Sequence, residues 1–353
     1  MKVGTVHLDP PLALAPMAGM TDTAFRRLVK RRGGCGLVVT EMVSSEGLVR
    51  GIDRTLEYAE YTEEERPVSI QIFGSDPAKM TAAAQVVEGM GADIVDVNMG
   101  CPVPKIAKHN AGCSLMRHPA QAAAIIRSMS AAVKIPVTVK MRAGWDEQEI
   151  NAMEMAKTME DAGAAAIAVH GRTAKQSYTG VSDWRLIDNV AARVSIPVFG
   201  SGDCVTAQQI VNRTTNTGVA GVLVGRGALR NPWIFQQAMA LLSGRLVGEV
   251  TPEERCGFLL EYIDLLCREG VDEGRGFRHA VPNAAGPGTR VGQRHGTQRE
   301  RWVVNKLRAL GSWYTKGLNR GSQLRTEINH AASVSELRDI IRVFFQMVPA
   351  ATV

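Results

Sequence analysis

Eight short apolar runs, each four to eight residues long, recur along the first 227 residues. They are LALAPMAG (12–19), GLVVTEMV (36–43), VSIQIFG (68–74), DIVDVNMG (93–100), VTVKMRAG (137–144), AIAVHGR (166–172), VFGSGD (198–203) and GVLVGRG (221–227). Nearly all end in glycine or a polar residue, which is the pattern of strands buried on both faces. Between them lie segments such as PAKMTAAAQVVEGMGA and EQEINAMEMAKTMEDAGA, with apolar positions at helical spacing and closing glycines. Strands alternating with helices at this rhythm predict an α/β fold, a TIM (β/α)8 barrel. A doubly wound sheet is the fold alternative, but no G-x-G-x-x-G follows the first strand.

The pattern changes after Pro232. Residues 233–275 read as helix, with WIFQQAMALL and EERCGFLLEYIDLLCREG both amphipathic. Residues 279–300 have no apolar period, four glycines and two prolines, and read as a flexible basic loop. RWVVNKLRALGSWYTKGL and VSELRDIIRVFFQMV are helical again. The expected division is a barrel over 1–245 and a C-terminal helical bundle domain over 246–353.

Charge is unevenly spread. Residues 275–325 hold eleven Lys and Arg against one acid, Glu300, a local +10. The remaining 30 basic and 34 acidic residues leave −4 for everything else. A slightly acidic body with one basic segment suggests contact with a polyanion, nucleic acid first, or else a solvated basic linker. No apolar run reaches the length of a membrane span. Asp9, Pro10 and Pro11 interrupt the weakly apolar start, so no signal peptide is expected. Six cysteines without CxxC or regular spacing fit a reducing cytoplasm and argue against a structural zinc site, so no metal is expected.

A TIM barrel carries its active site at the C-terminal strand ends. Here those ends offer Pro16-Met17-Ala18-Gly19, Glu41, Gln71, Asn98-Met99-Gly100-Cys101, Lys140 with Arg142, His170-Gly171-Arg172, Ser201-Gly202-Asp203 and Gly225-Arg226-Gly227. The last two loops have the glycines and the arginine of a phosphate site. Lys140, inside an apolar strand, either snorkels to solvent or faces an anion on a bound ring. His170 is either a satisfied core histidine or a ligand contact, and Gln71 a core amide or a partner of a planar heterocycle. Without metal-ligand spacing around it, Cys101 remains a nucleophile or a proton donor. Trp313 and Tyr314, set among the basic residues, serve either as helical core or as stacking platforms.

The ordered set APMAGMTDTAFR (15–26), SIQIFGSDP (69–77), DVNMGCPVPKIAKHNAGCSLM (96–116), VTVKMRAGW (137–145), VHGRTAKQSYTG (169–180) and GVLVGRGALRNPWIF (221–235) resembles the tRNA-dihydrouridine synthase family, in its bacterial B-like branch. SWYTKGLNRGSQLR near 312–325 extends the likeness. The resemblance implies an FMN-binding barrel followed by a helical tRNA-binding domain, acting in the cytoplasm with no obligate protein partner. By the same resemblance, Pro16, Met17 and Ala18 would lie against the flavin, with Gln71 and Lys140 at its polar edge and His170 beside it. Ser201, Gly202, Asp203, Gly225 and Arg226 would hold its phosphate. NADPH (or NADH) would reduce the FMN, hydride would pass to C6 of a flipped-out tRNA uridine, and Cys101 would protonate C5. Asn98, Lys105 and Arg172 would position the uracil and neighbouring phosphates. Ser201 stands where the family leads one to expect asparagine, and residues 279–300 match nothing expected between bundle helices. An FMN enzyme acting on a small pyrimidine-like molecule is the alternative activity.

Overall fold

The computed structural model describes residues 1–268, 278–279 and 296–347. Among these residues, eight parallel strands pair side by side and close into a barrel. They are β1 (Leu12–Leu14), β2 (Leu37–Val39), β3 (Val68–Phe73), β4 (Ile94–Met99), β5 (Val137–Arg142), β6 (Ala166–His170), β7 (Val198–Ser201) and β8 (Gly221–Val224). Closure comes where β8 pairs with β1, through Val222↔Leu12 and Leu223↔Ala13. Each strand falls within one of the eight apolar runs. The runs overshoot the strands because their glycine-bearing tails leave the sheet as rim loops.

Outside the barrel lie α1 (Thr23–Arg32), α2 (Pro77–Gly89), α3 (Pro119–Ala132), α4 (Ala152–Asp161), α5 (Trp184–Arg193) and α6 (Ala207–Asn216). Side-chain caps start several of them. Asp22, Asp76, Asp183 and Thr206 accept the N–H groups of Phe25, Lys79, Leu186 and Gln209, satisfying donors that a first turn leaves free. Inside the barrel, Ala13, Leu37, Ile94, Ala166, Phe199 and Leu223 form a separate apolar layer, joined by Val3 and Leu8 from the N-terminal hairpin region.

The C-terminal helices are α7 (Ile234–Leu242), α8 (Pro252–Arg268), α9 (Gly296–Tyr314), α10 (Gly321–His330) and α11 (Val334–Met347). An aromatic cluster fastens them to the barrel. Phe258 of α8 meets Phe25 of α1 edge-on at 6.1 Å and stacks on Tyr314 of α9 at 5.6 Å. Tyr314 is fully buried and donates to the Arg255 carbonyl, so it is core and cannot stack on RNA. Trp313 packs against Lys316 at 3.9 Å and Arg230 at 5.9 Å. Two expectations shift. The basic loop assigned to 279–300 ends earlier, since 296–300 is the first turn of α9; its residues 280–295 lie outside the described residues. Helix α10 was not legible because only Gly321, Leu324 and Ile328 of its ten residues are buried.

Candidate active site

Two groups of side chains meet at the C-terminal rim. The first lines one cleft: Pro16 and Met17 after β1, Lys140 on β5, His170 on β6, Ser201, Gly202 and Asp203 after β7, and Gly225 and Arg226 after β8. Tyr178, from the loop after β6, lines the same cleft. Ala18 is exposed beside it.

The floor of the phosphate-type end is held from behind. Ser182 Oγ donates to the Ser201 carbonyl at 3.1 Å, and Trp184 Nε1 to the Gly202 carbonyl at 2.9 Å. Gly202 has φ +122°, and a Cβ there would stand 2.2 Å from Ser182 Oγ, so only glycine fits. Asp203 turns its carboxylate away from ligand duty. Both oxygens accept from Arg172 Nη2 at 2.9 and 2.8 Å, and Oδ2 accepts from the Ser182 N–H at 2.7 Å. Burial opposes its charge, but the Ser182 N–H and Arg172 outweigh that and hold its carboxyl below the usual range. Arg226 borders this end, 4.5 Å from the Tyr178 ring and 3.4 Å from Asp203 Oδ1.

Arg172 is therefore not where a uracil or an RNA phosphate would find it. Its side chain is 2% exposed and donates to the carbonyls of Thr179 and Gly180 as well as to Asp203. It shapes the loop that presents Tyr178. Its Nη1 also approaches His170 Nε2 at 3.4 Å. A guanidinium can only donate, so Nε2 accepts and the ring proton is assigned to Nδ1. Burial, with Lys140, Arg142, Arg172 and Arg226 around it, pushes the imidazole down to about 2. His170 is a neutral hydrogen-bond donor at any working pH.

Lys140 has no hydrogen bond or ion pair with any described residue. Burial, seconded by Arg142, lowers it to about 8, against the opposing pull of Asp96 and Cys101. An ammonium in that position is complementary to an anion supplied from outside the chain.

The second group surrounds Cys101. Asn98 Oδ1 accepts from the N–H groups of Gly100 at 3.1 Å and Cys101 at 2.9 Å. Arg142 Nε donates to the Gly100 carbonyl at 2.8 Å, and the Cys113 N–H to the Cys101 carbonyl at 3.1 Å. Thus Asn98, assigned from the family likeness to the uracil, spends its oxygen on the turn. Gln71 is 1% exposed and joins Asp96 to Asn98, with Nε2 donating to Asp96 Oδ2 and Oε1 accepting from Asn98 Nδ2, both at 2.7 Å. Lys105 is exposed on the short helix Pro104–Ala107 that follows. Burial raises the Cys101 thiol, against the Val103 N–H, Arg142 and Lys140. It stays protonated near neutral pH, which suits a proton donor and not a thiolate nucleophile.

Arg142 was read at the rim but given no role, and Tyr178, Asp96 and Thr138 were not singled out from sequence. For Asp96 and Thr138 a signal existed: polar residues at a period of two inside apolar strands, Asp96 and Asn98 on β4 beside Thr138 and Lys140 on β5.

A family model described as "Dihydrouridine synthase (Dus)" matches residues 13–290. A probable tRNA-dihydrouridine synthase of Rhodobacter capsulatus is 46% identical over 247 residues, covering 69% of this chain and 76% of that one. A probable tRNA-dihydrouridine synthase of Rickettsia bellii is 34% identical over 353 residues, 99% of this chain and 98% of that one. Among solved structures, morphinone reductase shares the fold, with a TM-score of 0.50 at 13% identity, over 72% of this chain and 91% of that one.

Proposed function

Because the chain belongs to the dihydrouridine synthase family, we propose that its rim converts a uridine of tRNA to 5,6-dihydrouridine, with FMN as cofactor and NADPH as reductant. The enzyme is an oxidoreductase, and we assign its reaction to the cytoplasm, where tRNA is found. No helix among the described residues is long and apolar enough to cross a membrane.

The residues present fit a flavin mononucleotide. Pro16 and Met17 offer an apolar wall, His170 a neutral donor, and the loops after β7 and β8 a glycine-bordered anion end with Arg226. The observation that carries the reading is the Lys140 ammonium, half-buried and without a hydrogen-bond or ion-pair partner among the described residues, in the cleft and on the strand next to the one that leads into Cys101. When bound, the flavin supplies hydride chemistry toward C6 of the uracil. The chain itself supplies charge and a proton. Lys140 offsets negative charge developing on the bound ring, Cys101 Sγ gives its proton to C5, and Asn98 holds the turn that presents Cys101. Lys105 and the basic residues of the 246–353 domain meet tRNA phosphates. A uridine stacked in an RNA loop must be extruded to reach this rim. Arg230, Lys316 and Arg325 continue the positive charge from Arg226 toward α9 and α10, close enough to depress Lys316 once its own desolvation is counted first.

Expression in a strain devoid of dihydrouridine, followed by mapping of its tRNA, tests the reading. The wild-type chain is expected to restore dihydrouridine, and Cys101→Ala to lower it at least about 100-fold. A protein that binds FMN normally yet restores none points to a small pyrimidine substrate. A colourless protein that cannot be reconstituted with FMN removes both flavin readings.

A further inference from the structure

Asp96 is 6% exposed and has no place in the chemistry described so far. It faces into the barrel from β4, level with Gln71 on β3 and Thr138 on β5 in the strand register. Oδ1 accepts from Thr138 Oγ1 at 2.6 Å and Oδ2 from Gln71 Nε2 at 2.7 Å. From there the contacts run in one direction. Gln71 Oε1 accepts from Asn98 Nδ2 at 2.7 Å, and Asn98 Oδ1 accepts from the N–H groups of Gly100 and Cys101.

A carboxylate only accepts and a backbone N–H only donates, whereas a primary amide does both and can turn over. The two amides are thus bounded by an acceptor-only group at one end and donor-only groups at the other. One orientation satisfies every contact. Turning Gln71 over would set its oxygen against Asp96. Turning Asn98 over would aim its NH2 at the two N–H groups of the Cys101 turn. Each error leaves buried polar atoms unpaired.

We propose that Asp96 is a positioning residue for Cys101: its carboxylate sets the polarity of the Gln71–Asn98 amide chain and thereby holds the turn that presents the thiol. This rests on the reading of Cys101 as proton donor, but one arm of its test does not. Asp96→Asn is nearly isosteric and both donates and accepts, so it removes the polarity without removing the packing. The rate of Cys101 alkylation by iodoacetamide, read by peptide mass spectrometry on the full chain, is expected to change at least about threefold in Asp96→Asn and similarly in Asn98→Ala. A chain of contacts acting as one unit also predicts that combining the two adds little further. The swap Asp96→Asn with Asn98→Asp reverses the whole chain. The new amide at position 96 can then donate to Gln71, and Gln71 can donate to the new carboxylate at position 98. That carboxylate still accepts from the N–H groups of Gly100 and Cys101. The swap is expected to return alkylation to the wild-type rate. In single turnovers of reduced enzyme, Asp96→Asn is expected to slow uridine reduction about tenfold with tRNA affinity within twofold.

An unchanged alkylation rate in Asp96→Asn, or a swap no closer to wild type than Asp96→Asn alone, overturns the proposal. A wild-type enzyme that makes no dihydrouridine instead overturns the functional reading, and leaves the alkylation arm standing.

Discussion

Lys140 and His170 line one cleft and are driven the same way by burial, yet their uses differ. Lys140 at about 8 keeps its proton through neutral pH and loses it just above, whereas His170, pushed down to about 2, is neutral across that range. An anionic ligand favours the protonated lysine, so affinity for FMN is expected to weaken as pH rises through about 8, by at most about tenfold per pH unit. Titrating flavin binding by fluorescence between pH 6.5 and 9.5 reads this, and Lys140→Met is expected to flatten the curve. His170 contributes no protonation step in that range. His170→Gln keeps a donor and is expected to bind FMN within about threefold of wild type, against about tenfold weaker for His170→Phe, from the loss of one hydrogen bond. For Cys101 the direction matters most. A raised thiol keeps its proton, so single-turnover reduction is expected to hold steady across pH 6–8 and fall only above the ordinary thiol range.

At the level of elements, the loop between β6 and α5 shows how a strand end becomes part of a site. The sequence HGRT reads as rim chemistry, but Arg172 folds back under its own loop and binds the carbonyls of Thr179 and Gly180 and the Asp203 carboxylate. Arg172→Leu leaves that carboxylate the Ser182 N–H and Arg226 at 3.4 Å, and is expected to cost about 2 kcal/mol by chemical denaturation, less than a fully buried pair because Asp203 keeps these partners and some solvent. Arg172→Leu with Asp203→Leu is expected to cost less than Arg172→Leu alone. A double-variant loss equal to the sum of the two single losses would mean the pair carries no coupling. The strand trio β3–β4–β5 was more legible. Gln71, Asn98 and Lys140 stood out as polar residues in apolar runs, and parallel pairing then set Gln71 beside the overlooked Asp96 and Asn98 beside Lys140. Their order of donors and acceptors was not legible, because it depends on side-chain rotation across three strands.

Across the whole molecule, one junction ties the helical region to the rim. Lys306 of α9 reaches Asp22 at 3.0 Å, Glu41 at 3.5 Å and the Gly19 carbonyl at 3.3 Å, just beyond Pro16-Met17-Ala18. Asp22 also caps α1 and accepts from Tyr262 of α8 at 2.8 Å. Burial raises the Glu41 carboxyl, and Lys306 is the main group opposing that shift. A folded-state carboxyl raised above its unfolded value costs stability at neutral pH, and the cost is relieved as pH falls and the group takes up its proton. Lys306→Met enlarges the cost, so its drop in melting temperature relative to wild type is expected to be greater at pH 7 than at pH 5. An equal drop at both would show that Lys306 does not act through the Glu41 charge.

Periodicity determined the alternation of buried strands and helices, because strands buried on both faces must be apolar throughout and glycine must end them where the chain turns. Closure into a barrel was decided by the pairing of the last strand with the first. Periodicity also determined which residues reach the rim, since the C-terminal end of a parallel strand is a position in sequence. Cys101 illustrates the limit. Its place after β4 was readable, but its protonation state and its anchoring by Asn98 and Arg142 come from groups that only folding brings near. The inward turn of Arg172 and Tyr314, and the tie of Asp203 to Arg172 at the edge of the cleft, came from folding too. Charge and hydrogen-bond capacity are written residue by residue, whereas partners are assigned by three-dimensional proximity, and burial then decides which charges persist.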